Sequence, residues 1–124
     1  VLGDLAINHI LPVATRYQSV LLDNVYKIRS VFAAEKADSM AAEDMYTIER
    51  IAEHIRIIKE ETAEMIRARK VANRIESERE KAIAYHDTVL PRMDTIRYHI
   101  DKLELMVDNE IWPLPKYREL LFIR

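Results

Sequence analysis

Residues 48–72, IERIAEHIRIIKEETAEMIRARKVA, decide the fold. Ile48, Ile51, Ile55, Ile58, Thr62, Met65, Arg69 and Ala72 follow one another by steps of three and four without a slip. That spacing stacks side chains along one face of an α-helix and is the heptad seam by which long helices pack nearly parallel or antiparallel. Between the seam positions stand Glu, Lys and Arg in mixed order, as on a solvated face. A helix over 39–72 follows.

The same reading extends in both directions. Upstream, Ala6, Ile10, Val13, Tyr17, Val20, Asn24, Ile28 and Val31 form a second stripe, which predicts a helix over 4–35. Pro12 removes a backbone donor and presses on the carbonyl of Asn8, so this helix either kinks there or begins near Leu11. Between the two stripes, Asp38 and Ser39 are good N-cap residues, and Glu43 and Asp44 suit a first helical turn. A turn near 36–40 is expected. Downstream, Ala82, His86, Val89, Met93, Ile96, Ile100, Leu103 and Val107 continue the three-and-four spacing across Pro91. They predict a helix over 77–109 that survives the proline with a bend.

The join before it has two readings. Arg67, Arg69, Lys70 and Arg74 come first around Asn73 and Glu76, Glu78 and Glu80 after them, the charge order of one helix ending and another beginning. Asn73 with Glu76 and Ser77 with Glu80 both have capping-box spacing. A turn at 73–77 is thereby favoured over a second helix running to Asp87 and breaking at Pro91. After Asn109, Pro113 and Pro115 forbid regular continuation. The tail 112–124 can then fold back, with Lys116 to Ile123 as a short last helix.

The expected class is all-α, an antiparallel three-helix bundle of long helices with a short C-terminal segment. Composition agrees. The 124 residues suit a single helical domain, 49% of them are hydrophobic and 32% charged, and Gly3 is the only glycine. A net charge of −2 with interspersed signs offers no basic face to nucleic acid. There is no cysteine, which removes disulfides and thiolate metal sites. No apolar run approaches the ~20 residues of a membrane span. A cytoplasmic, soluble setting is expected, and the missing initiator Met suggests a piece of a longer chain.

No chemical constellation emerges. A di-iron or di-manganese bundle needs Glu three residues before each ligand His, but Ala6, Ile51, Ile83 and Ile96 precede His9, His54, His86 and His99. The histidines are expected to be structural or surface residues. Glu60–Glu61 and Glu76–Glu78 are spaced so that their carboxylates diverge on a helix. Ser19, Ser30 and Thr15 lack a motif for an activating base, and no Gly-rich loop cradles a phosphate. Met65, Met93 and Met106 read as core. Tyr85, Tyr98, Trp112 and Tyr117 gather toward the C-terminal end, where packing within the domain and contact with another body are both open. Within the tail, Trp112, Tyr117, Leu120, Leu121 and Phe122 are the candidate interface residues.

Three stretches, LGDLAINHILPVATRYQ (2–18), REKAIAYHDTVLP (79–91) and IRYHIDKLELMVDNEIWPLPKYRELLF (96–122), resemble the C-terminal region of type III glutamine synthetases, the large bacterial form of the enzyme. The resemblance covers nearly the whole chain, is weakest over 34–47 and is most specific at WPLPKYRELLF. It implies a parent that joins ammonia to glutamate using ATP and Mg²⁺ or Mn²⁺, assembled as a dodecamer of two stacked hexameric rings. The implied partners are the catalytic domain of the same chain and neighbouring subunits. The family's catalytic and metal-binding residues have no counterparts here, so the catalytic domain is expected upstream of Val1. The implied role is structural support of domain packing or oligomer contacts. A free-standing helical adaptor that binds a partner helix is the alternative.

Overall fold

The structure, a computed structural model, describes residues 6–107. All of its regular elements are helical. A π-helical turn, Ala6–Ile10, leads into α1 (Leu11–Val31). Helix α2 (Ala34–Asn73) is 40 residues long, about 60 Å at the α-helical rise. Helix α3 (Glu78–Ala84) passes through a second π-helical turn, Tyr85–Val89, into α4 (Leu90–Met106). The backbone stays in right-handed helical dihedrals at Ala84, Val89 and Leu90, so α3, the turn and α4 make one continuous rod.

Helices α1 and α4 both run antiparallel to α2. On one side Gln18 Nε2 donates to the Ile48 carbonyl and Asn24 Nδ2 to Asp44, with partners descending α2 as α1 ascends. On the other, Arg92 meets Glu61 and His99 meets His54. From 54 to 61 on α2, and from 99 to 92 on α4, is seven residues in opposite senses: one heptad, the repeat of a left-handed antiparallel pair.

The core lies where all three helices overlap. Ile10, Leu11, Val13 and Ala14 meet Ile51, Ile58 and Met65 of α2 and Val89, Ile96, Ile100, Leu103 and Val107 of the third rod. By the His54–His99 register, Val107 sits opposite about residue 46, so among the described residues α2 below that level has only α1 beside it. There a smaller cluster forms from Val25, Ala41 and Ile48, flanked by Leu21, Ile28 and Met45. Among the described residues the bundle is three helices thick in its middle and two thick at its ends.

The turn between α1 and α2 falls at Phe32 and Ala33, both extended, and not at 36–40. Asp38 and Ser39 lie inside α2, whose N-cap Ala33 has no side-chain cap bond. Packing explains the shift. Ala37 and Ala41 are completely buried, and side chains this small let α1 approach closely, which gives residues 34–41 more as a helix than Asp38 or Ser39 could give as caps. At the other end, α2 stops at Asn73 and Ser77 caps α3 by accepting the Glu80 N–H at 3.3 Å. The Tyr85 hydroxyl donates to Asn73 Oδ1 at 2.6 Å, tying the third rod back to the end of α2.

The two π turns share a cause. Each ends two residues before a proline, Ile10 before Pro12 and Val89 before Pro91. A proline inside a helix has no N–H for the carbonyl four residues back and crowds it. Here the preceding turn widens, and the Leu90 N–H reaches back five residues to the Tyr85 carbonyl. The bend expected at Pro91 is thus an inserted residue. Ile10 and Val89, which close the two turns, are both buried in the main core. The extra residue also moves Ala82 and His86 off the stripe, and both are exposed. Helix α4 ends at Met106, with Val107 extended, short of the expected 109.

Candidate functional site

Two polar contacts cross the α2–α4 seam one heptad apart, and Thr62 of α2 and Glu104 of α4 are also buried. At the upper level Arg92 donates to the Glu61 carboxylate at 2.6 Å. Glu61 is mostly shielded from solvent, its side chain 18% exposed against 43% for Arg92. Around this pair an open groove of about 530 Å³ runs between α2 and the third rod, lined by Ala68, Val71, Thr88, Pro91 and Arg92 among others.

At the lower level the Nδ1 atoms of His54 and His99 stand 2.7 Å apart. Tyr98 sits edge-on to His99. His54 is 3% exposed, and its Nε2 has no hydrogen-bond partner. Burial pushes both imidazoles below the ordinary histidine range. For His54, repulsion from His99 and the cations Arg50 and Lys102 adds to this, against a smaller opposing pull from Glu53. For His99, Glu53 and Glu61 pull the other way, with less effect than burial. The Nδ1 contact needs one donor and one acceptor, so the neutral pair holds one proton between the rings.

The sequence predicts structural or surface histidines. His9 and His86 are exposed, while His54 and His99 are brought into contact from 45 residues apart. Each follows a seam isoleucine by three residues, Ile51 and Ile96, and so flanks the seam on its own helix. That position was legible, but the pairing needs the antiparallel register. Among the described residues no three His, Asp or Glu side chains converge as a metal site. The candidate interface residues Trp112, Tyr117, Leu120, Leu121 and Phe122 lie outside the described residues.

Several of the exposed apolar side chains lie at the α1–α2 end, where among the described residues the third rod no longer reaches. On α1, Val13 and Tyr17 pack into the three-helix core, while Val20 and Val31 on the same stripe are exposed, Val31 to 74%. Val20 and Val31 are eleven residues apart, which brings them within about 20° around the helix. Phe32 and Met40 are exposed at the same end.

Comparison with known proteins places these observations in a larger frame. No family model matches the chain. It is 50% identical over all 124 residues to a glutamine synthetase of Bacteroides fragilis, and 27% identical over 123 residues to a type-3 glutamine synthetase of Dictyostelium discoideum. This chain is similar, end to end, to one part of a type III glutamine synthetase. It spans 17% of the length of each relative. An all-helical segment of that size fits a C-terminal part of such an enzyme, as the resemblance implied. Among the described residues no helix is long and apolar enough to cross a membrane.

Proposed function

We propose that this chain is the C-terminal helical domain of a type III glutamine synthetase, carrying no active site and bracing the catalytic domain or the contacts between subunits. The observation that carries the reading is the 50% identity over the full chain to a fraction of a glutamine synthetase. The physical form of the domain supports it. Among the described residues the α1 stripe outruns its covering helix at Val20 and Val31, with Met40 of α2 exposed at the same end, and such apolar surface suits contact with another body. On this reading the parent works in the cytoplasm, joins ammonia to glutamate with ATP and Mg²⁺ or Mn²⁺, and assembles as a dodecamer. All of that chemistry resides outside these 124 residues.

The test is a parent enzyme from which this segment is removed, followed by light scattering and synthetase assay. Loss of assembly or of thermal stability, with activity falling in consequence, is expected. Unchanged assembly, stability and activity would overturn the proposal. Val31→Asp and Met40→Asp in the intact parent make the finer cut. They are expected to weaken assembly or domain packing while leaving the helical bundle folded.

A further inference from the structure

We propose that the His54–His99 pair is an acid-released clasp that holds the C-terminal half of α4 against the middle of α2. The geometry allows only one protonation pattern at low cost. With His54 Nδ1–H donating to His99 Nδ1, the unpartnered Nε2 of His54 is a bare lone pair within the apolar core. His99, half-buried, can turn its own N–H outward. Any further proton breaks this pattern. If His99 becomes an imidazolium, its Nδ1–H needs His54 Nδ1 as acceptor, which drives the His54 proton to Nε2, a buried donor with nothing to receive it. If His54 is charged instead, the cation is buried. Two protonated rings would oppose N–H groups across 2.7 Å.

The surroundings do not rescue the charged form. From α2, Arg50 repels both rings, while Glu53 and Glu61 attract more weakly than burial opposes. From α4, Lys102 repels His54 and Tyr98 presents a ring against His99, and the same half of the helix carries the part-buried Asp101 and the buried Glu104. Tyr17 is the titratable side chain of α1 packed on this core. Because the folded pair binds protons less readily than the unfolded chain, stability is complete above the ordinary histidine pKa, about 6.5, and is lost as the pH falls below it. Release is local. Glu61 and Arg92 still hold the seam one heptad away, and the Val25–Ala41–Ile48 cluster contains no titratable group.

Amide hydrogen exchange on the 124-residue chain at pH 7.5 and pH 5.0, expressed as protection factors, tests the clasp. Protection across Ile96–Met106 is expected to fall by about tenfold or more on acidification, the change for one unit of proton linkage, with residues 21–48 changing less. Uniform loss, or none, would overturn the proposal. His54→Leu with His99→Leu is expected to abolish the pH dependence. Should that variant not fold, ¹⁵N spectra of the wild-type imidazoles decide. His54 as the Nδ1–H tautomer, with both rings titrating below 6.5, supports the clasp, and a ring titrating at or above that value sinks it.

Discussion

Glu61 and Arg92 meet at 2.6 Å across the α2–α4 seam, 31 residues apart in sequence, with the carboxylate much better shielded than the guanidinium. That asymmetry sets what the pair contributes. The half-exposed Arg92 keeps most of its hydration and costs little to place. Glu61, once ionised, depends on it.

Arg92→Met should therefore destabilise the chain by about 1–2 kcal/mol in urea unfolding, and Glu61→Gln by less. A double-mutant cycle should return a coupling of about 1 kcal/mol, far below that of a fully buried pair. Strict additivity would mean that the contact is geometric only.

The two turns make opposite predictions for serine. Ser77→Ala removes the acceptor of the Glu80 N–H and should cost about 1 kcal/mol. Ser39→Ala, inside α2 and exposed, should change stability by no more than about 0.5 kcal/mol in either direction. Equal losses would return the α1–α2 turn to 36–40.

Ala33 offers a gain. Its extended dihedrals, φ −61° and ψ 154°, suit an N-cap, yet it has no side-chain oxygen to receive the first free N–H groups of α2. Ala33→Asp should raise the unfolding free energy by about 1 kcal/mol. Thermal melts at fixed pH would show this directly.

Truncation should separate the thick middle of the bundle from its thin ends. Ile58 is fully buried among all three helices, and Ile58→Ala should cost about 2–5 kcal/mol. Val31→Ala, on an exposed side chain, should stay within about 0.5 kcal/mol in the isolated chain. A large Val31 effect there would mean the stripe already has a cover.

Arg50 repels both buried imidazoles, so Arg50→Gln should let them take up protons more readily. The folded-state titrations then move up toward 6.5, the gap between folded and unfolded states narrows, and less stability is lost on acidification. Urea titrations at pH 7.5 and 5.0 should show a smaller difference for Arg50→Gln than for the wild type.

Much of this architecture was written in the three-and-four spacing. The seam of α2 reads off directly, with Ile48, Ile51, Ile58, Thr62, Met65 and Ala72 all buried, and only Arg69 turned to solvent. The Asn73–Ser77 turn is favoured by charge order and capping spacing, though the spacing alone also allowed a helix running on to Asp87. What local pattern could not supply was anything that depends on a neighbour. Asp38 and Ser39 look like caps until Ala37 and Ala41 are seen against α1. Val20 and Val31 belong to the stripe predicted for α1, but a stripe does not disclose how far its covering helix reaches. His54 and His99 become a pair only once one helix is set in register on the other.

The π turns give this chain an unusual relation to changes in its own length. Evolution ordinarily accepts an added or deleted residue in a loop and rejects it in a packed helix, where every side chain beyond the change would rotate by about 100°. A turn that already holds one surplus residue is a place where such a change can be taken up. Deleting one residue from Tyr85–Val89 would restore α-helical spacing and leave both α3 and Ile96, Ile100 and Leu103 on the faces they now occupy. The long rods of this domain thus carry, just upstream of each proline, the sort of slack that other folds keep in their loops.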